Sequence, residues 1–414
     1  MTLCSTAFKA LGVAQSKALK YPDLPLLIAP HPFGALKRDK VTSAAEKALA
    51  DLMLLLAQGD TAAAGNAVQA DTGPALVAVE DDMDAVNRLY RDRQWTDGLP
   101  IVPPTPERVQ KMLSGTTRQP GEVVALVAPG FGAATVQRIA INAVMAGCEP
   151  AYMPVLIAAV DAACSPEFNL QGIQATTNPV AVWLLVNGPI VAELEMNFGP
   201  NCLGQGNWAN ATLGRALRLV LQNIGRALPG EMDRATHGQP GKYLFCCAEN
   251  EAENPWEPLN AERGFAGQST VTVIGAEGTT NINTHSKVAE DVLRVFAETM
   301  KRPAGNDYRT GGEPWMILSP EHAEVLKTGG YSKAAVKQRL WESSRLPARL
   351  MTKRDYEHTQ LARKPDLGDI GPDTLLPACT TPDKLGIIVA GGPGTHSVYV
   401  NSFGNTASVT RVIK

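Results

Sequence analysis

Apolar residues recur along this chain in two rhythms. One has helical spacing: within the run Asn197 to Arg226, residues Leu213, Leu217, Val220 and Ile224 share a face at steps of four, three and four. Asn210 suits the N-cap of that helix, and Pro229-Gly230 stops it. LGVAQSKAL, Ser43 to Gln58, Val77 to Arg93, Thr135 to Ala146, MPVLIAAVDAA and Trp341 to Leu350 also read as helices. The other rhythm is a short unbroken apolar run bounded by turn residues. LLIAP, VVALVAP (Val123 to Pro129), VAVWLLVNGP, Phe245 to Cys247, STVTVIG, Trp315 to Ser319 and Leu385 to Ala390 have this form. They predict buried strands, and their alternation with helices predicts an α/β fold. Residues 352 to 384 are polar and proline-bearing, which predicts a long loop or lid.

Punctuation divides the chain. Residues 1–58 read as a partial, truncated N-terminal α/β domain, and 59–75 (GDTAAAGNAVQADTGPA) as a linker of small polar residues. The larger mixed α/β region divides into 76–235 and 236–414. VVALVAP leads through Gly130-Phe131-Gly132 into a helix. STVTVIG leads through Ala276-Glu277-Gly278-Thr279-Thr280-Asn281 into another, ending at Met300. The echo predicts two related halves.

Composition narrows the class. Of 414 residues, 44 % are apolar and 19 % charged, as in a globular chain. A net charge of −3 without a basic run argues against electrostatic nucleic-acid binding. No apolar stretch reaches membrane-spanning length and no secretory pattern opens the chain, so a cytoplasmic, soluble homo-oligomer is expected. Seven cysteines without framework spacing imply free thiols in a reducing compartment.

Candidate chemistry gathers in the turns that follow strands, where open α/β sheets place ligands. Asn187, Asn197, Asn201, Asn207 and Asn210 lie around one loop system, and either orient a polar substrate or satisfy loop backbone groups. Cys202 precedes a helix N-terminus, whose dipole lowers a thiol's pKa, which makes it the first choice of nucleophile. Glu249 and Glu251, two apart at a strand end, suit acid–base work or a salt-bridged rim. Arg263 suits a carboxylate. Thr279 and His285 flank the next turn. His322 falls in the first turn of a helix, a place that favours a neutral imidazole base. Lys333 follows a Gly-rich turn. Gly391-Gly392-Pro393-Gly394-Thr395-His396-Ser397 offers open N–H groups beside a titratable His396, with Gly392 and Ser397 as binding positions. Asp97 and Cys148 read as structural. No spacing matches a metal motif, and nothing assigns a cofactor.

The run Thr6 to Gly34, above all YPDLPLLIAPHPFG, resembles the UGSC-motif selenocysteine/cysteine proteins and, more distantly, the selenocysteine-bearing subunit of glycine, sarcosine and betaine reductases. The resemblance covers about 55 residues and carries over only Pro30-His31-Pro32. Those families place a U/C-G-x-C redox motif upstream, and MTLCSTAF does not supply one. The resemblance implies a thiol-dependent system that cleaves carbon–heteroatom bonds, with reductive cleavage among its forms. It implies a thiol or selenol redox protein as partner, while the small anionic, carboxylate-type substrate is expected from the Gly- and Asn-rich loop that feeds a helix N-terminus within Asn197 to Arg226. Two rival expectations stand beside it: a non-redox lyase or hydratase using His and Glu groups, and a non-catalytic subunit of a multi-component reductase.

Overall fold

The computed structural model describes residues 2–18, 21–31, 36, 38–57 and 75–414. The predicted linker, apart from its last residue, and the segment 32–34 lie outside these residues. Near the N-terminus, strands Thr2–Ser5 and Leu26–Ala29 pair in parallel around the helix Lys9–Ala18, and the helix Arg38–Ala57 follows. His31 ends this unit, with Nδ1 3.0 Å from Ser5 Oγ and its ring edge-on to Phe8.

Helices make up 44 % of the structure and strands 17 %, an α/β fold in which helices surround a curled mixed sheet. The chain enters it through α1 (Met83–Asp92), capped by Asp82, and α2 (Pro106–Leu113), capped by Thr105 with proline at its first position. The expected strand, glycine loop and helix at 123–146 takes another form. Val123–Val127 and Gly132–Thr135 pair antiparallel as a hairpin off the main sheet. The glycines there serve a reversal of the chain. Helices α3 (Val136–Ala146) and α4 (Met153–Ala163) follow.

Seven strands build the main sheet: β1 (Ala181–Asn187), β2 (Cys246–Ala248), β3 (Thr270–Asn283), β4 (Trp315–Leu318), β5 (Gly386–Val389), β6 (His396–Ser402) and β7 (Val409–Val412). Their order is β5-β4-β6-β3-β1-β2. β3 is long enough to hold β1 on one edge and both β6 and β7 on the other. The loop expected at 276–281 is therefore strand, because β6 supplies hydrogen-bond partners along Ala276 to Asn283.

Strand alternation sorts the side chains into three cores. Val182, Leu184, Val186, Cys246 and Val273 pack outward on α3, α4 and α5 (Trp208–Asn223). Ile282, Met316, Ile387 and Tyr399 pack on α6 (Ala289–Met300), α7 (Pro320–Thr328) and α8 (Lys333–Ser343). Trp183, Trp315, Phe245, Cys202, Cys247, Ile274 and Ile388 fill the inside of the curl. Two further expectations are corrected. The basic helix placed at 341–350 is instead the end of α8, a two-residue strand and a 3-10 turn. The predicted lid holds α9 (Lys353–Ala362) and buries Ile370, Leu376, Ala378 and Cys379 in the core beneath α6 to α8, while Leu361 and Leu375 stay exposed.

Candidate functional site

β2 and β5 are the two edges of the sheet, yet their carboxyl ends meet. Asn250 N–H, just past β2, donates to Val389 O of β5 at 2.8 Å. The turn from β1 to α5 lies across this junction: Ala248 N–H donates to Asn197 O at 3.3 Å, and Gly391 N–H to Phe198 O at 2.8 Å. A Cβ on Gly392 would come within 2.7 Å of Pro200, so glycine lets the two turns touch. Three loops, after β1, β2 and β5, thus converge at strand carboxyl ends, where the sequence pattern places the candidate chemistry.

Cys202 lies at that junction, only 6 % exposed. Its sulfur lies beside the Cys247 thiol and the backbone N–H groups of Cys202, Leu203 and Gly391, of which Cys202 N–H also donates to Gly199 O and Gly391 N–H to Phe198 O. Together they pull its pKa below the ordinary thiol value against the opposing effect of burial. Cys247, fully buried on β2, is the donor. Its bond to Cys202 and its burial push its own pKa far up. The Trp183 indole N–H is near the Cys247 sulfur but completes no hydrogen bond. The acidifying groups thus come from the turn, Cys247 and Gly391. The α5 N-terminus is otherwise engaged: Asn207, not Asn210, is its N-cap, taking Asn210 N–H at 2.9 Å and donating to Glu195 O at 2.8 Å.

The amides hold the site's shape. Asn210, 3 % exposed inside α5, receives Asn197 N–H on Oδ1 and donates through Nδ2 to Asn197 O and Cys202 O. Asn201 adopts φ 60° and closes a turn onto Gln205 O. Glu249, 1 % exposed, accepts from Asn187 Nδ2 at 2.6 Å, Leu259 N at 2.8 Å and Asn254 Nδ2 at 2.8 Å. Burial raises its pKa and Lys333 opposes that rise. Glu251 shares Asn187 and takes Gly188 N–H at 2.7 Å. Lys333 is itself buried and paired with Glu262 at 2.6 Å, so its ammonium is committed. Arg263 donates to Ser408 and Thr410 hydroxyls and covers the Trp315 face at 5.6 Å.

The histidines gather at the far end of the 391–395 turn. Ser319, the N-cap of α7, donates through Oγ to Gly394 O at 2.7 Å. His322 is 1 % exposed. Its Nε2 lies 3.0 Å from Thr284 O, and its Nδ1 2.7 Å from Ser397 Oγ, which also accepts Ser319 N–H. A carbonyl can only accept, so Nε2 carries the proton and Nδ1 takes the serine hydroxyl. Burial lowers the His322 pKa. His396 is exposed, 3.1 Å from Asn281 Oδ1. His285 and Thr279 are exposed as well, the latter in mid-strand on β3.

One cluster is absent from the sequence expectations. Glu277 sits where the β3–β6 register slips by a residue. It accepts from Asn306 and, at 2.8 Å, from Asn401. Burial, aided by the neighbouring Asp307, pushes its pKa up to about 7. Asp307, held by Tyr399 and Ser402, is pushed by burial up to about 6. Nothing in the local pattern around Glu277 or Asp307 announces that the two meet.

Among the described residues, no group of three or more His, Cys, Asp or Glu is arranged to hold a metal ion, and no helix is long and apolar enough to cross a membrane. All seven cysteines are free thiols. No protein-family model and no curated protein sequence matches the chain.

Proposed function

We propose that this chain is a thiol-dependent enzyme whose reactive group is the Cys202 thiolate. The observation that carries the reading is the set of donors gathered on one sulfur at the carboxyl ends of β1, β2 and β5. Cys202 is only 6 % exposed, which restricts this reading to a small reactant. In this reading the thiolate attacks an electrophilic carbon, an S–C bond forms, and the heteroatom group leaves with the bonding electrons and takes up a proton. The anionic character of the substrate is part of the proposal through the Gly- and Asn-rich turn that feeds α5, and a thiol or selenol partner protein through the resemblance of residues 6–34.

Cysteine labelling tests it. Iodoacetamide modification mapped by peptide should show Cys202 reacting with a midpoint below pH 9.0, the ordinary thiol value. Cys148 and Cys164, pushed by burial to about 12, should lag despite being more open to solvent. A Cys202 profile with its midpoint at or above the ordinary value sinks the reading.

A second reading is favoured by Glu277. A carboxyl with a pKa of about 7 is suited to acid–base chemistry of a lyase or hydratase, with no thiol involved. Turnover that survives complete alkylation of Cys202 but fails in Glu277→Gln would select it.

A further inference from the structure

We propose that Cys202 and Cys247 are a two-electron redox pair, in which a small hydroperoxide oxidises Cys202 and Cys247 closes an intramolecular disulfide upon it. This rests on the thiol reading of the site and adds its regulation.

The two sulfurs come from different elements and meet inside the curl. Cys246 is no competitor, because strand alternation turns it outward onto the core beneath α3 to α5. The roles are fixed by the surroundings. Backbone N–H groups lie around Cys202 and not around Cys247, so Cys202 is the better nucleophile of the two and Cys247 the one that keeps its proton. The uncommitted Trp183 N–H is placed to receive charge on the Cys247 sulfur when that proton leaves. Access selects the oxidant. Trp183, Phe245, Leu203 and Ala390 belong to the same cluster as the two sulfurs, and a bulky disulfide cannot reach a sulfur so enclosed.

The chemistry balances in two steps. The Cys202 thiolate attacks the outer oxygen of the hydroperoxide. An S–O bond forms, the O–O bond breaks, and the alkoxide leaves as an alcohol after gaining a proton from solvent. Cys202 is then a sulfenic acid. The Cys247 sulfur attacks the Cys202 sulfur, the S–O bond breaks, and hydroxide leaves as water with the Cys247 proton. Two thiols are oxidised and one peroxide is reduced. The disulfide has neither nucleophile nor S–H donor, so the site is silent until a dithiol reductant small enough to enter reopens it.

The test uses the full chain and hydrogen peroxide at neutral pH, followed by thiol blocking and peptide mapping. The expected product is a Cys202–Cys247 disulfide, with five of the seven thiols still blockable and all seven recovered after dithiothreitol. In Cys247→Ser, Cys202 should form a dimedone-reactive sulfenic acid that excess peroxide carries on to sulfinic acid, with no disulfide. In Cys202→Ser, Cys247 should stay reduced. Circular dichroism confirms that each variant is folded, and the wild-type mapping decides the matter if either is not. A wild-type Cys202 that goes to sulfinic acid without a disulfide, or a disulfide between other cysteines, overturns the pairing. If Cys202 still alkylates with a midpoint below the ordinary thiol value, the thiol reading survives that failure; if it does not, both fall.

Discussion

At the scale of single residues, what distinguishes this chain is where ionisable groups are buried. Glu277 has the clearest consequence. Its folded pKa of about 7 lies above the usual 4.5, so its contribution to stability is fully present below pH 4.5 and is lost as pH rises through about 7. That difference corresponds to about 3 kcal/mol at most. Glu277→Gln keeps an acceptor for Asn401 and removes the buried charge. The variant should be the more stable protein at pH 8, and its denaturant midpoint should vary less between pH 5 and 8 than the parent's; an unchanged pH dependence refutes the assignment. His322 runs the other way. Its depressed pKa means that stability from the neutral ring is present above pH 6.5 and fades as pH falls below it.

At the scale of elements, the turn that carries Cys202 is shaped by side-chain amides acting on backbone. Asn207 caps α5, and Asn210, one turn in, is bonded to three backbone groups of the turn. Asn210→Ala should cost about 1–3 kcal/mol, because Asn197 N–H and two carbonyls lose a buried partner. It should also slow Cys202 alkylation, since the N–H groups around the sulfur lose their alignment. Thermal unfolding and labelling rate measure the two effects. A large loss of stability with unchanged Cys202 reactivity would show that the turn keeps its shape without the amide. Sequence spacing groups these asparagines but leaves substrate binding and backbone satisfaction evenly matched. Either use needs the same side chains close to one loop, so spacing cannot decide between them.

At the scale of the whole molecule, the curl of the sheet is what brings β2 and β5 together. Its inside is held by aromatic contacts: Trp183 stacks on Phe245 at 5.3 Å and meets Trp315 edge-on at 5.8 Å. Gly386 permits this, since a Cβ there would lie within 2.2 Å of the Trp315 ring. Trp183→Ala should cost about 3–5 kcal/mol and leave a cavity beside Cys247. Both thiols should then label faster in the folded protein. If stability falls while labelling stays the same, the indole does not shield the pair.

The sequence by itself determined most strands, most helices and the turns that could carry chemistry, because apolar periodicity and Gly, Pro and Asn punctuation are local signals. It singled out Cys202 on the helix dipole, whereas the groups around that sulfur come from the turn, Cys247 and Gly391, and it gave Cys247 only a place at the end of a strand. Only the tertiary structure decided that Cys202 and Cys247 touch, that Glu277 lies beside Asp307, and that Lys333 and Arg263 are already occupied. Each of those facts depends on strands distant in sequence pairing in one curled sheet. Burial and pairing of charge follow from that long-range register, and no window of neighbouring residues contains it.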